Sequence, residues 1–264
     1  MRSDVKIYGH SGPPVLLLPG GAEPTEGFFP GLVDGLVGDP GCRVILYDRP
    51  GTGVSTEPGL LADAPTHLNE LIQELGMGPV IVVSQSLGGA VALLLAVEYP
   101  DAVAGLVLLE PTPINDAKGC KQFEEVMRVT KRLYAVPGLH SIIQSQLLAG
   151  MRRSMKGKDL TPECSAAVDR IGNTDAARLA DATAGITQLS ADFRVERIPK
   201  VPAVIVTADR KPSNYITRSH EELAKVLGVP LVCWPNSAHN VQLDHPAETL
   251  EVVRSLIASV SRTK

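Results

Sequence analysis

The sequence predicts a doubly wound α/β fold with a mainly parallel sheet, and three observations predict it. Short, continuously apolar runs alternate with longer stretches whose apolar residues recur at helical spacing. Runs such as Val-Leu-Leu-Leu at 15–18 carry no polar alternation, as expected of strands covered on both faces. Glycines and polar singletons gather where such runs end: Gly20, Gly21, Ser86, Glu110, Asp209 and His239. In sheets of this class ligands bind at the carboxyl ends of the strands.

Taken in order, 5–8 reads as a short strand, turned by Gly-His-Ser-Gly-Pro-Pro at 9–14. His10 and Ser11 are read as turn residues, because the two prolines forbid a helix after them. A buried strand at 15–18 ends in Pro-Gly-Gly-Ala, and a helix is expected over 27–36. The next strand is 43–47, and a helix over 62–75 closes at Gly76, a suitable C-cap. A strand at 80–83 runs into Ser84-Gln85-Ser86-Leu87-Gly88-Gly89 and then an apolar helix reaching Tyr99. The strand at 104–109 ends at Glu110.

From 114 to about 200 buried-strand signals cease and helical patterns take over, at 122–133, 139–155, 162–171 and 176–189. We expect a helical cap subdomain at 114–199 inserted into a core domain formed by 1–113 and 200–264. Strand patterns resume at 201–207 and 229–234, separated by a helix at 216–227. A terminal helix is expected from Pro246, a residue suited to the first helical position, to about 260.

With 264 residues, 44% hydrophobic, the chain can bury a sizeable core. Its net charge of −4 gives no footprint for nucleic acid or an anionic membrane. Arg152, Arg153, Lys156 and Lys158 form one basic cluster, read as a solvated face. No apolar run is long enough to span a bilayer, and the start lacks a signal-peptide core. Cys42, Cys120, Cys164 and Cys233 lack CxxC spacing, which points to reduced thiols and a cytoplasmic location. His and Cys positions show no metal-ligand spacing, so neither metal nor organic cofactor is expected.

The stretch around Ser86 has the strand–turn–helix context of a nucleophile elbow. Such a turn projects its central side chain above the sheet edge and needs small residues two positions away on either side. Ser84 and Gly88 supply them. The plainer reading is that Ser86 merely caps the following helix. A serine hydroxyl needs a base and an acid that orients the base. His239, in a turn-rich loop after the last strand, is the candidate base. His220 and His67 lie in helical stretches, and His245 precedes Pro246. Asp209 is the preferred orienting acid, because the order Ser86, Asp209, His239 is the chain order of this elbow class. Glu110 is its rival, and Asp244 reads as a cap with His245. The oxyanion donors are expected to be the backbone amides of Leu87 and Gly21.

These motifs together resemble the α/β-hydrolase superfamily, from about Val15 to Ile257 apart from the cap. The resemblance is carried by Leu18-Pro19-Gly20-Gly21, by Asp48-Arg49-Pro50-Gly51-Thr52-Gly53-Val54-Ser55, and by the elbow. Val206-Thr207-Ala208-Asp209-Arg210 and Ala238-His239-Asn240 extend it. The sequence departs from the usual pattern at Pro19, where relatives often carry histidine, and at Ser84 and Gln85, where Gly-His is usual. Ser86 argues against the aspartate-nucleophile branches.

The resemblance implies a serine hydrolase working through an acyl-enzyme. The cap's apolar residues imply a small or medium hydrophobic acyl substrate, in an ester, lactone or thioester. Phe28 and Phe29 are read as core residues of the first helix in preference to entrance residues. Two other classes stay open at this point. The same triad serves carbon–carbon bond hydrolysis, perhydrolysis or acyl transfer, and the fold also serves binding proteins without turnover.

Overall fold

The computed structural model describes residues 4–262. Among them a seven-stranded sheet organises the chain, in the spatial order β1-β3-β2-β4-β5-β6-β7. The strands are β1 (Val5–Tyr8), β2 (Pro14–Leu18), β3 (Arg43–Tyr47), β4 (Val80–Gln85), β5 (Val103–Leu109), β6 (Ala203–Thr207) and β7 (Leu231–Cys233). Edge strand β1 runs antiparallel to β3, and every other pairing is parallel.

The uniform apolarity of the strands follows from two cores. Successive side chains of a strand point to opposite faces, so each strand feeds both. Leu16, Leu18, Val80, Val82, Leu106 and Leu108 pack on one face, against α2 (Ala64–Leu75), α3 (Leu87–Glu98) and α9 (Tyr215–Leu227). Val15, Leu17, Ile81, Val83, Val107 and Leu109 pack on the other, against α1 (Leu32–Gly38) and α11 (Pro246–Arg262). Helix α3 is buried over ten of its twelve residues, from Leu87 to Ala96, which explains why its sequence shows no polar stripe.

Between β5 and β6 lie α4 (Ala117–Tyr134), α5 (Leu139–Ser154), α6 (Pro162–Gly172), α7 (Ala176–Ala182) and α8 (Ile186–Asp192). They do not form a wholly separate core. Ile114, Cys120, Ala182 and Ile186 are buried in the same cluster as α2 and α3.

Several boundaries differ from expectation. The helix expected over 27–36 begins only at Leu32, because Gly27 (φ 74°) and Gly31 (φ 73°) turn the chain in the left-handed region. Phe28 and Phe29 are nevertheless core residues, in edge contact at 5.0 Å. The pattern at 176–189 is two helices, broken at Gly185 (φ 87°). A short helix, α10 (Val241–Asp244), intervenes before α11. Within the basic cluster, Lys158 is not a solvated residue. Its ammonium pairs with Asp244 at 2.8 Å, and its side chain is mostly buried.

Candidate active site

The site is built at the carboxyl ends of β2, β4, β5 and β6 and in the loop that follows β7. Ser86 follows β4 with φ 49° and ψ −118°, a conformation costly for a residue with a Cβ. The surrounding packing holds it there. Its N–H donates to Leu109 O at 3.1 Å, and its carbonyl accepts from Thr112 N at 2.8 Å. The elbow's demand for small flanks is visible. A Cβ on Gly88 would meet Leu18 O at 2.4 Å and Pro19 O at 2.6 Å. Ser84 fits on the other side, fully buried, with its hydroxyl donating to Val107 O at 3.2 Å.

His239 Nε2 lies 3.0 Å from Ser86 Oγ. The imidazole's Nδ1 lies 3.0 Å from Oε2 of Glu110. This corrects the expected acid: the carboxylate at the histidine is Glu110, not Asp209. Asp209 is exposed and engaged elsewhere. Its Oδ2 accepts from Asn236 N at 2.8 Å, and its own N–H donates to Ser237 Oγ at 3.0 Å. It therefore fastens the loop that carries His239 without reaching the ring. Glu110 reaches instead because it too turns the chain at a positive φ, 49°.

Because a carboxylate only accepts, Nδ1 must carry the proton toward Glu110, leaving the Nε2 lone pair facing the serine hydroxyl. Glu110 is fully buried and well supplied with donors. Oε1 accepts from Thr207 Oγ1 at 3.1 Å, Ala208 N at 2.8 Å and Arg210 Nη1 at 2.6 Å. Oε2 accepts from Arg210 Nη2 at 2.5 Å. Burial alone would raise this carboxyl. The hydrogen bonds and charges of His239 and Arg210 outweigh burial and hold it well below the usual carboxylate range.

Arg210 and Thr207 were legible only as neighbours of the expected acid. His220 is fully buried beside them, Nδ1 2.9 Å from Thr207 Oγ1 and Nε2 2.8 Å from Pro111 O. Burial pushes its imidazole below the ordinary histidine range, and its bonds to Thr207 and Pro111 hold it as a core residue, no rival to His239.

Leu87 opens α3, so its N–H is among those a helix leaves without an intrahelical acceptor. Gly21 follows β2 with φ 62° and lines the same cavity as Leu87 and Ser86. The motif after β3 braces this loop. Asp48 accepts from Thr25 N at 2.7 Å and Val54 N at 2.8 Å, and Gly53 N donates to Ala22 O at 3.0 Å. A Cβ on Gly53 would strike the Asp48 carboxylate. The buried Arg49 donates to Gly21 O at 3.4 Å, and burial lowers its guanidinium to about 10. Gln85, unusual at its position, donates to His239 O at 3.0 Å and so ties the elbow to the histidine loop.

Two cavities meet at Ser86 and His239. The smaller encloses about 480 Å³ up to its open mouth, walled by Pro111, Pro113, Cys120, Phe123, Tyr215 and Ile216. The larger encloses about 790 Å³ and contains Gly21 and Leu87 beneath Phe123, Leu147, Met151, Ile171 and Leu179. Glu23 is its one carboxylate. Burial pushes its carboxyl above the ordinary range, against a hydrogen bond from Thr174 and the charges of Arg170 and Arg178. His67 and His245 do not line either cavity, and His245 instead pairs with Asp244 at 3.0 Å. Asp244 also accepts from Ala238 N at 2.6 Å, bracing the histidine loop from below. Among the described residues no cluster of His, Cys, Asp and Glu could hold a metal ion, and no helix is long and apolar enough to cross a membrane.

The sequence is 27% identical over 240 residues to sn-1-specific diacylglycerol lipase ABHD11 of Mus musculus, covering 87% of this chain and 76% of that one. It is 25% identical to Esterase Rv0045c of Mycobacterium tuberculosis, over 95% of this chain and 84% of the relative. Among solved structures, MenH from S. aureus superposes with a TM-score of 0.81 at 15% identity, over 98% of this chain and 100% of that one, and so shares the fold. The profile of the Alpha/beta hydrolase family matches residues 15–252. The elbow, the sheet order and this match across most of the sequence lead to one assignment: the chain belongs to the alpha/beta hydrolase family.

Proposed function

We propose that the protein is a serine hydrolase that cleaves a carboxylic ester, lactone or thioester through an acyl-enzyme intermediate. The observation that carries this reading is the unbroken line from Ser86 Oγ through the His239 ring to the buried Glu110, at 3.0 Å and 3.0 Å. Relatives named as a lipase and an esterase support a hydrolytic role.

In the proposed mechanism Ser86 Oγ attacks the carbonyl carbon while His239 Nε2 takes the hydroxyl proton. Glu110 steadies the resulting imidazolium. The amides of Gly21 and Leu87 receive the oxyanion, a contribution of about 3–4 kcal/mol per donor in comparable sites. His239 then gives its proton to the departing alcohol or thiol. A water molecule, deprotonated by the same nitrogen, releases the acid. Residues 114–199 act as a cap that roofs the larger cavity and supplies Phe123 to both. Three cysteines are buried and unpaired and a fourth is free at the surface, in keeping with a cytoplasmic enzyme.

The two cavities give the substrate two limbs on either side of the carbonyl. The larger chamber, which holds both oxyanion amides, receives the bulkier limb, and the smaller apolar chamber a short one. A fluorophosphonate probe should label the wild type and leave Ser86→Ala unlabelled. p-Nitrophenyl and alkyl esters lengthened separately on the acyl and alcohol sides should show one tolerant and one intolerant side. A wild type that takes up no probe and turns over no ester would overturn the reading in favour of a binding role.

A further inference from the structure

The strand-end residue that matters beyond the serine, histidine and glutamate is Arg210. Its guanidinium forks onto both oxygens of Glu110, at 2.6 Å and 2.5 Å. Fork geometry of this kind fixes a carboxylate's plane as well as its place. The oxygen it shares, Oε2, is also the one that faces His239 Nδ1. Guanidinium and imidazole are therefore separated by no more than two hydrogen bonds laid end to end. The acid that orients the base is already paired with a permanent cation, in a pocket from which the carboxylate has no access to water.

This arrangement has an electrostatic consequence. An uncompensated carboxylate stabilises an imidazolium strongly and so delays the appearance of the neutral base as pH rises. A carboxylate whose charge is shared with arginine still accepts the Nδ1 proton but stabilises the imidazolium less. We propose that Arg210 is a positioning residue that clamps Glu110 and, by sharing its charge, lets His239 work as a base at lower pH than a bare carboxylate would allow. The inference rests on the serine-hydrolase reading for its kinetic assay, though not for its physical content.

The other groups facing this cluster do not substitute for Arg210. From α9, His220 Nδ1 stands 3.6 Å from Glu110 Oε1, but burial disfavours its charged form. Tyr215 and the Cys233 thiol, raised above their ordinary ranges chiefly by burial, are uncharged through the neutral range. Asp209, beside Arg210 in sequence, gives its Oδ2 to Asn236 N. Ser86, hydrogen-bonded to the other ring nitrogen, and Gln85, bonded to the His239 carbonyl, are both uncharged.

The test compares wild type with Arg210→Met and Arg210→Lys. The acid limb of kcat/KM should move upward by about one pH unit in Arg210→Met, within the span that a nearby charge produces. Arg210→Lys, which keeps the charge and loses the fork, should move it by less and lower kcat. A limb that stays in place in a folded, probe-labelled Arg210→Met would overturn the proposal and leave Arg210 a structural clamp. If Arg210→Met does not fold, the Lys variant decides, since an unmoved limb with unchanged kcat is the same negative. Should the wild type bind no fluorophosphonate and hydrolyse no ester, the serine-hydrolase reading fails by itself. The His239 ring signals, titrated by NMR in wild type and variants, must then still show the upward shift, or the proposal fails as well.

Discussion

At the scale of single residues, the decisive choice lies between two acids at the ends of neighbouring strands. The sequence makes Ser86 and His239 legible, one by its elbow and the other by its place after the last strand. Between the two acids it favours Asp209 on chain order, although Glu110 also ends an apolar run and precedes a turn. Backbone geometry separates them. A positive φ turns Glu110 into the site, whereas Asp209 accepts from the Asn236 N–H and donates its own N–H to the Ser237 hydroxyl. Glu110→Gln should therefore lower kcat by about 10³–10⁴-fold, as losing the orienting carboxylate does in related triads. Asp209→Asn should stay within about tenfold of wild type and lose on the order of 1 kcal/mol of stability, the worth of one hydrogen bond. Steady-state kinetics and urea unfolding of the two variants check this, and the reverse ranking would restore Asp209 as the acid.

At the scale of elements, the strands were legible because burial on both faces leaves a continuous apolar run. Helix ends were less so. Glycine at a left-handed φ stops or delays a helix wherever it falls, yet its effect on a periodic pattern is weak. Gly27 and Gly31 shorten the first helix, and Gly185 cuts one expected helix into α7 and α8. The pairing of Lys158 with Asp244 was illegible because it joins residues 86 apart in sequence. It ties the end of the segment bearing α5 to the loop that presents His239. Lys158 lies mostly buried and Asp244 wholly so, and Asp244 keeps His245 and Ala238 N as partners. Lys158→Met should lower the unfolding free energy by about 1–3 kcal/mol, the cost of leaving a buried acceptor short of a donor. Urea denaturation reads the change, and a difference under about 0.5 kcal/mol would make the pair an ornament of the surface.

At the scale of the whole molecule, the sheet brings residues that follow five of its strands to one rim, and this concentrates acid sensitivity there. Glu110 has a folded-state carboxyl held below its unfolded value, so its contribution to stability is fully present above the unfolded carboxyl range. That contribution is lost as pH falls from about 4, the unfolded glutamate value, toward the lower folded value. Thermal unfolding followed from pH 6 downward should show wild type losing stability more steeply below about pH 4 than Glu110→Gln, which has no proton to take up there. Parallel curves would show that other groups govern acid unfolding.

The same layout gives one aromatic ring an outsized share in deciding which molecules enter. Phe123, on α4, belongs to the wall of both chambers, while the chemistry stands on the sheet below. It is a shared wall, and its ring can be trimmed without touching the residues on the floor. Phe123→Ala should join the rooms into one hall, so that esters branched or bulky on both sides gain relative to slender ones while probe labelling of Ser86 persists. Selectivity in this protein would then drift through changes in a helix that no reacting atom touches.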